Sequence, residues 1–129
     1  MTQIVTPYLL YQDVEEAARF LTRAFGFTEV DRQVGGGGGL HLELETDRGG
    51  RIYAGQPQSD YRNPAEVGRT SAVYVLVSAV DAHHDRARAA GATVVQELRD
   101  LPHGHRLYSC RDPQGHEWHF AEETGESGT

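Results

Sequence analysis

An internal repeat limits what this chain can fold into. Gln12-Asp13-Val14-Glu15 and Ser78-Ala79-Val80-Asp81 each stand where a strand-like run gives way to a helical pattern, and Gly26 and Gly91 each stand where that pattern stops. The halves are offset by about 65 residues. In each half the order reads strand, helix, three strands. A unit of that size buries little apolar surface alone, so the two are expected to fold together. Helices alternating with runs of strands predict an α+β fold with largely antiparallel pairing. We therefore expect two tandem βαβββ modules whose curved sheet, a half-barrel, surrounds a cavity with the helices outside. The expected boundaries are one domain over 1–122 (first module about 3–56, linker 57–69, second module 70–122) and a flexible tail over 123–129.

Local patterns place the elements. Ile4 to Tyr11 reads as a strand, and Pro7, which lacks a backbone donor, puts it at an edge. Asp13 opens a helix with Glu16 at capping-box spacing, and Val14, Ala17, Ala18, Leu21 and Phe25 form its buried stripe. Phe27 to Val34 is the second strand. The five glycines Gly35 to Gly39 lead into a strand rather than a helix, so they form a connector and not a phosphate loop. Leu40 to Glu45 alternates strictly, with His41, Glu43 and Glu45 on the polar face, which is either solvated or a cavity wall. Arg51 to Ala54 is a short fourth strand, and Gly55 to Arg69 a long connection.

Thr70 to Val77 begins the second half as a buried strand. Ser78 or Asp81 caps a helix running to Ala90, with Val80, His84 and Ala87 inward; His83 and His84 read as surface and packing residues. Thr93 to Leu98 is a strand, and Arg99 to Gly104 a turn. A terminal hairpin then pairs Leu107–Cys110 with Glu117–Phe120 around the turn Asp112-Pro113-Gln114-Gly115. Residues from Ala121 on are expected to fray.

Composition narrows the partners. The formal charge of -7, from 12 basic and 19 acidic side chains, argues against nucleic acid, which needs a basic face, and suits a cationic or neutral ligand. Cys110 is the single cysteine, so no internal disulfide can form and a reducing compartment is expected. No apolar run is long enough to span a bilayer, so a cytoplasmic protein without a membrane partner is expected. The candidate ligand pocket comprises Tyr8, Leu10, His41, Glu43, Tyr53, Tyr108, Trp118 and His119, whose rings would stack on flat ligands. The competing reading of each aromatic is a place in the core.

The duplicated unit ending in Asp112-Pro113-Gln114-Gly115-His116-Glu117-Trp118 resembles the vicinal oxygen chelate superfamily of glyoxalase I, bleomycin-resistance proteins, fosfomycin-resistance enzymes and extradiol dioxygenases. Val5-Thr6-Pro7-Tyr8-Leu9, Ala24-Phe25-Gly26-Phe27, Leu40-His41-Leu42-Glu43-Leu44, Tyr61-Arg62-Asn63-Pro64 and Ala89-Ala90-Gly91-Ala92 are similar to its PhnB-like and bleomycin-resistance-like branch. The resemblance implies a divalent-metal site with one ligand on each of the first, fourth, fifth and eighth strands. Those positions fall on Thr6, Tyr53, Ala72 and His119, and only His119 is a good ligand. The expectation is a metal-independent, cofactor-free, drug-sequestering homodimer. The alternative is a glyoxalase-type lyase or isomerase holding a divalent metal with His119, His41 and Glu43.

Overall fold

A computed structural model describes residues 3–35, 38–56 and 61–125. Parts of the glycine run (36 and 37), of the long connection (57–60) and of the expected tail (126–129) lie outside the described residues. The elements are β1 (Tyr8–Leu10), α1 (Val14–Phe25), β2 (Thr28–Val34), β3 (Leu40–Glu45), β4 (Arg51–Gly55), α2 (Pro64–Val67), β5 (Ala72–Leu76), α3 (Val80–Ala89), β6 (Thr93–Leu101), β7 (His105–Arg111) and β8 (Glu117–Glu123). They form two four-stranded mixed sheets, β1-β4-β3-β2 and β5-β8-β7-β6, with no closed barrel. Pairing is antiparallel except between β1 and β4 and between β5 and β8, which run parallel. No helix among the described residues is long and apolar enough to cross a membrane.

Several boundaries differ from the sequence reading, each for a hydrogen-bonding reason. The first strand shortens to β1 because Gln3 clips the arm before it, donating to the Val5 carbonyl and accepting from the Arg51 N–H. β6 runs on to Leu101, since the ladder with β7 continues through Asp100 and Leu101. Ala121, Glu122 and Glu123 do not fray; they extend β8 against β7, and Ala121 is fully buried. The four-residue α2 inside the long connection is too short to leave a periodic pattern.

The expected stripe of α1 is buried, and Phe20 and Ala24 join it. A single core unites both modules. α1 and α3 pack on each other, and Phe25 and Phe27 from the first half lie against Trp118 and Phe120 from the second, with ring centroids 4.7–6.3 Å apart. Each such ring contributes about 1.5–3 kcal/mol on burial, so neither half keeps its core without the other.

Each module also caps the other's helix. At α1, Asp13 accepts from the Glu16 N–H at 2.9 Å as expected, but the reciprocal partner is Gln114 of the terminal turn. Gln114 accepts from the Asp13 N–H and donates to the Asp13 carbonyl and to Glu16 Oε1. At α3, neither Ser78 nor Asp81 caps. The cap residue is Ala79, which offers no side-chain bond. Asp47, in the β3–β4 turn of the other module, accepts from the Ser78 N–H at 2.7 Å, and Glu122 accepts from the Val80 N–H at 2.9 Å. Carboxylates there satisfy free N–H groups and complement the positive end of the helix.

His84 is buried on the inner side of α3, with Val80 and Ala87. His83 sits at the seam between modules. Its Nε2 bonds the Phe25 carbonyl at 3.1 Å and therefore carries the proton, so Nδ1 accepts from the Tyr108 hydroxyl at 2.6 Å. Burial pushes the His83 imidazole down to about 4, below its unfolded value. The unfolded chain therefore takes up a proton near pH 6.5 that the folded protein refuses until about pH 4. Stability contributed by neutral His83 is complete above pH 6.5 and is lost as the pH falls toward 4. Between pH 7 and 4.5 this amounts to about 2 kcal/mol. Urea unfolding of wild type and His83→Gln across that range should show a shallower pH slope in the variant; parallel slopes would refute the assignment.

Candidate functional site: two open sheet faces

Each sheet turns one face to the helices and the other outward. On the first sheet, Leu9, Leu42, Leu44, Ile52 and Ala54 pack into the core, so strand alternation sends Tyr8, Leu10, His41, Glu43 and Tyr53 to the open face. On the second, Val73, Val75, Tyr108, Cys110, Trp118 and Phe120 face the core. Tyr74, Leu76, Ser109, Glu117 and His119 take the open face.

The two faces repeat one arrangement. Tyr8 stands opposite Tyr53 as Tyr74 stands opposite His119, and Glu43 pairs with Tyr53 as Ser109 pairs with His119. Each face carries a chain of hydroxyl, imidazole, carboxylate and arginine. On the first, the Tyr8 hydroxyl meets His41 Nδ1 at 2.8 Å, His41 Nε2 meets Glu43 at 3.4 Å, and Glu43 lies 3.6 Å from Arg51. On the second, the Ser109 hydroxyl meets His119 Nδ1 at 2.7 Å, His119 Nε2 meets Glu117 at 3.3 Å, and Glu117 is flanked by Arg69 and Arg111. An ionised carboxylate only accepts, so His41 Nε2 carries the proton and His41 Nδ1 accepts from the Tyr8 hydroxyl. His119 is hydrogen-bonded at Nδ1, to Ser109, while its Nε2 is only in ion-pair contact with Glu117. Tyr8 reaches His41 across Gly55, where a Cβ would strike the Tyr8 ring and hydroxyl. Tyr74 stacks on His119, with planes 13° apart.

Of the sequence-predicted pocket residues, the structure brings Tyr8, Leu10, His41, Glu43 and Tyr53 together on the first face and puts His119 on the second. Tyr108 and Trp118 are corrected: both are fully buried on the helix side, because period-two alternation carries them with Cys110 and Phe120. Ser109, Tyr74, Arg51 and Glu117 were missed. The repeat itself held the signal for two of them, since Tyr74 is the counterpart of Tyr8 and Ser109 that of Glu43. Burial pushes the Cys110 thiol up to about 12, so the lone cysteine is no nucleophile.

Among Thr6, Tyr53, Ala72 and His119, the four positions expected to hold a divalent metal, only His119 brings a strong donor, and its Nδ1 is bonded to the Ser109 hydroxyl. Thr6 receives the Gln3 amide at 3.2 Å, and Ala72 begins β5 opposite Glu117. His119 is not joined to His41 and Glu43, which lie on the other sheet. Among the described residues, no group of three or more His, Cys, Asp or Glu side chains is placed to hold a metal ion.

Comparison with known proteins agrees with this architecture. An uncharacterized protein of Mycobacterium bovis is 32% identical over 124 residues, spanning 88% of this chain and 79% of its own. The crystal structure of TioX from Micromonospora sp. ML1 superposes with a TM-score of 0.75 at 38% identity, covering 93% of this chain and 95% of that one. FosX from Listeria monocytogenes, a genomically encoded fosfomycin resistance protein, shares the fold with a TM-score of 0.70 at 16% identity, covering 100% and 99%. The profile of the glyoxalase/bleomycin resistance protein/dioxygenase superfamily matches residues 3–120. The chain belongs to that superfamily.

Proposed function

We propose that this protein binds a small molecule on its open sheet faces without a divalent metal, as a homodimer that sequesters a drug-like ligand. The observation that carries the reading is the open-face ring cluster of Tyr8, His41 and Tyr53, with centroids 5.2–5.9 Å apart, on a chain that keeps one good donor, His119, at the four positions expected for metal ligands. Aromatic rings at Tyr8, Tyr53 and Tyr74 offer stacking partners, and Glu43, Glu45 and Glu117 favour a ligand carrying positive charge. Tyr8 is 50% and Tyr74 49% exposed, so each face has unpartnered ring surface that a second copy, laid face to face, would cover. FosX is a fosfomycin resistance protein and the superfamily takes part of its name from bleomycin resistance, which supports a drug as ligand.

Trp118 lies in the core and reports on folding, so calorimetry and thermal shift are the measurements. With a panel of cationic aromatic antibiotics, bleomycin included, at least one ligand is expected to raise the melting temperature equally with and without EDTA. Tyr53→Ala should weaken it about tenfold through loss of stacking. A panel that binds nowhere sinks the proposal. Stoichiometric zinc, nickel, manganese or iron that disappears in His119→Ala would replace it with the lyase or isomerase alternative.

A further inference from the structure

A groove of about 370 Å³ runs along the seam between the modules, within the roughly 300–1,000 Å³ usual for small-molecule sites. Its walls are Pro7 and Ile52 on one side and Val73, Tyr74, Val75 and Leu76 on the other, with Arg48 and Arg51 among its lining residues. We propose that this groove, which meets the open faces at Arg51, Tyr74 and Leu76 but not at Tyr53 or His119, is a second small-molecule site that takes an amphipathic carboxylate with a flat hydrocarbon body.

Three features support that class. The walls are apolar along the length of β5. β5 is the terminal strand of its sheet, so its outer edge presents backbone groups with no strand partner among the described residues. Arg51, 41% exposed, lies 3.6 Å from Glu43 and 4.0 Å from Glu45. Those separations exceed the ~2.7–2.9 Å of a tight charge-assisted bond, leaving guanidinium N–H groups for a ligand oxygen. Arg48 is half-exposed beside it, held by Glu123. Arg48 is committed to Glu123 at 2.8 Å, so Arg51 is the guanidinium that offers N–H groups to a ligand oxygen at the rim of the groove. A second copy suits the groove less well, since a symmetric contact there sets arginine against arginine.

The test uses ¹⁵N-labelled full-length protein titrated with naphthalene-2-carboxylate and, separately, with the neutral naphthalene-2-carboxamide. The acid is expected to bind about tenfold more tightly than the amide. Amide shifts should concentrate in segments 46–52 and 73–76, and the combined Arg48→Gln, Arg51→Gln variant should lose the preference while keeping the wild-type spectrum elsewhere. Binding should survive Tyr53→Ala, which separates failure of this site from failure of the open-face site. Equal affinity for acid and amide, shifts confined to His41, Tyr53 and His119, or self-association by sedimentation that blocks uptake would each overturn it.

Discussion

Replacing Asp112 with alanine is expected to destabilise the protein by about 3–5 kcal/mol, the largest loss from any single carboxylate. The side chain is 4% exposed and accepts five hydrogen bonds. Oδ1 takes the backbone N–H groups of Gln114, Gly115 and His116 at 3.0–3.1 Å, which holds the β7–β8 turn closed. Oδ2 takes the Tyr11 hydroxyl at 2.7 Å and Trp118 Nε1 at 3.1 Å, joining the end of the first strand region to the core of the second module. Alanine strands the Tyr11 hydroxyl, Trp118 Nε1 and the Gln114 N–H away from water, while the Gly115 N–H keeps the Asp112 carbonyl at 2.9 Å, and a stranded donor costs more than a bond contributes. Burial, with the Asp112 carboxylate next in weight, holds the Tyr11 hydroxyl well above its ordinary pKa, so Tyr11 stays a donor throughout the accessible pH range. Asp112→Asn keeps an acceptor for the three backbone groups but turns an NH₂ toward Trp118, so about half the loss is expected. Urea unfolding followed by Trp118 emission gives the comparison. An alanine variant within 1 kcal/mol of wild type would show that Asp112 is not a structural clasp.

That clasp explains what the sequence revealed and what it hid. The repeat, the α1 stripe and the terminal hairpin were legible because each is written in local spacing: alternation for strands, helical recurrence for α1, and Asp-Pro-Gln-Gly for the turn. The open face was half legible for the same reason, since alternation in β3 separates His41 and Glu43 from Leu42 and Leu44. Alternation does not say whether an aromatic beside a turn lines a cavity or fills a core, and so Trp118 and Tyr108 were placed on the wrong side. The turn motif likewise marked the family while its contacts stayed invisible. Asp112 and Gln114 act on Tyr11 and Asp13, at the far end of the chain. Asp47 caps α3 in place of the local Ser78 or Asp81 because the module interface brings it there. Contacts of that range are set by how the modules pack, and no window of sequence encodes them.

Gly115→Ala tests the other side of the same turn, with an expected loss of about 3–4 kcal/mol. Gly115 has φ of 102°, and a Cβ there would overlap the Ala65 backbone nitrogen and approach its Cα and Cβ at 2.6 and 2.8 Å. The connection is docked at this point by the Ala65 N–H on the Gln114 carbonyl at 3.1 Å and by Arg69 on the Gly115 carbonyl at 3.3 Å. A methyl group forces either the turn or α2 to move, so both bonds weaken together. Gly68→Ala is the control, because Gly68 has φ of 103° but a Cβ there meets nothing within 4 Å. Its ψ of 168° puts the backbone in a region essentially confined to glycine, so that variant carries backbone strain alone, about 1–3 kcal/mol. The gap between the two variants therefore isolates the clash. Tryptic cleavage after Arg62 and Arg69 should accelerate in Gly115→Ala and stay near wild type in Gly68→Ala, since only the first releases the connection from the turn. Equal stability and equal cleavage in the two variants would mean that the connection is not anchored on Gly115.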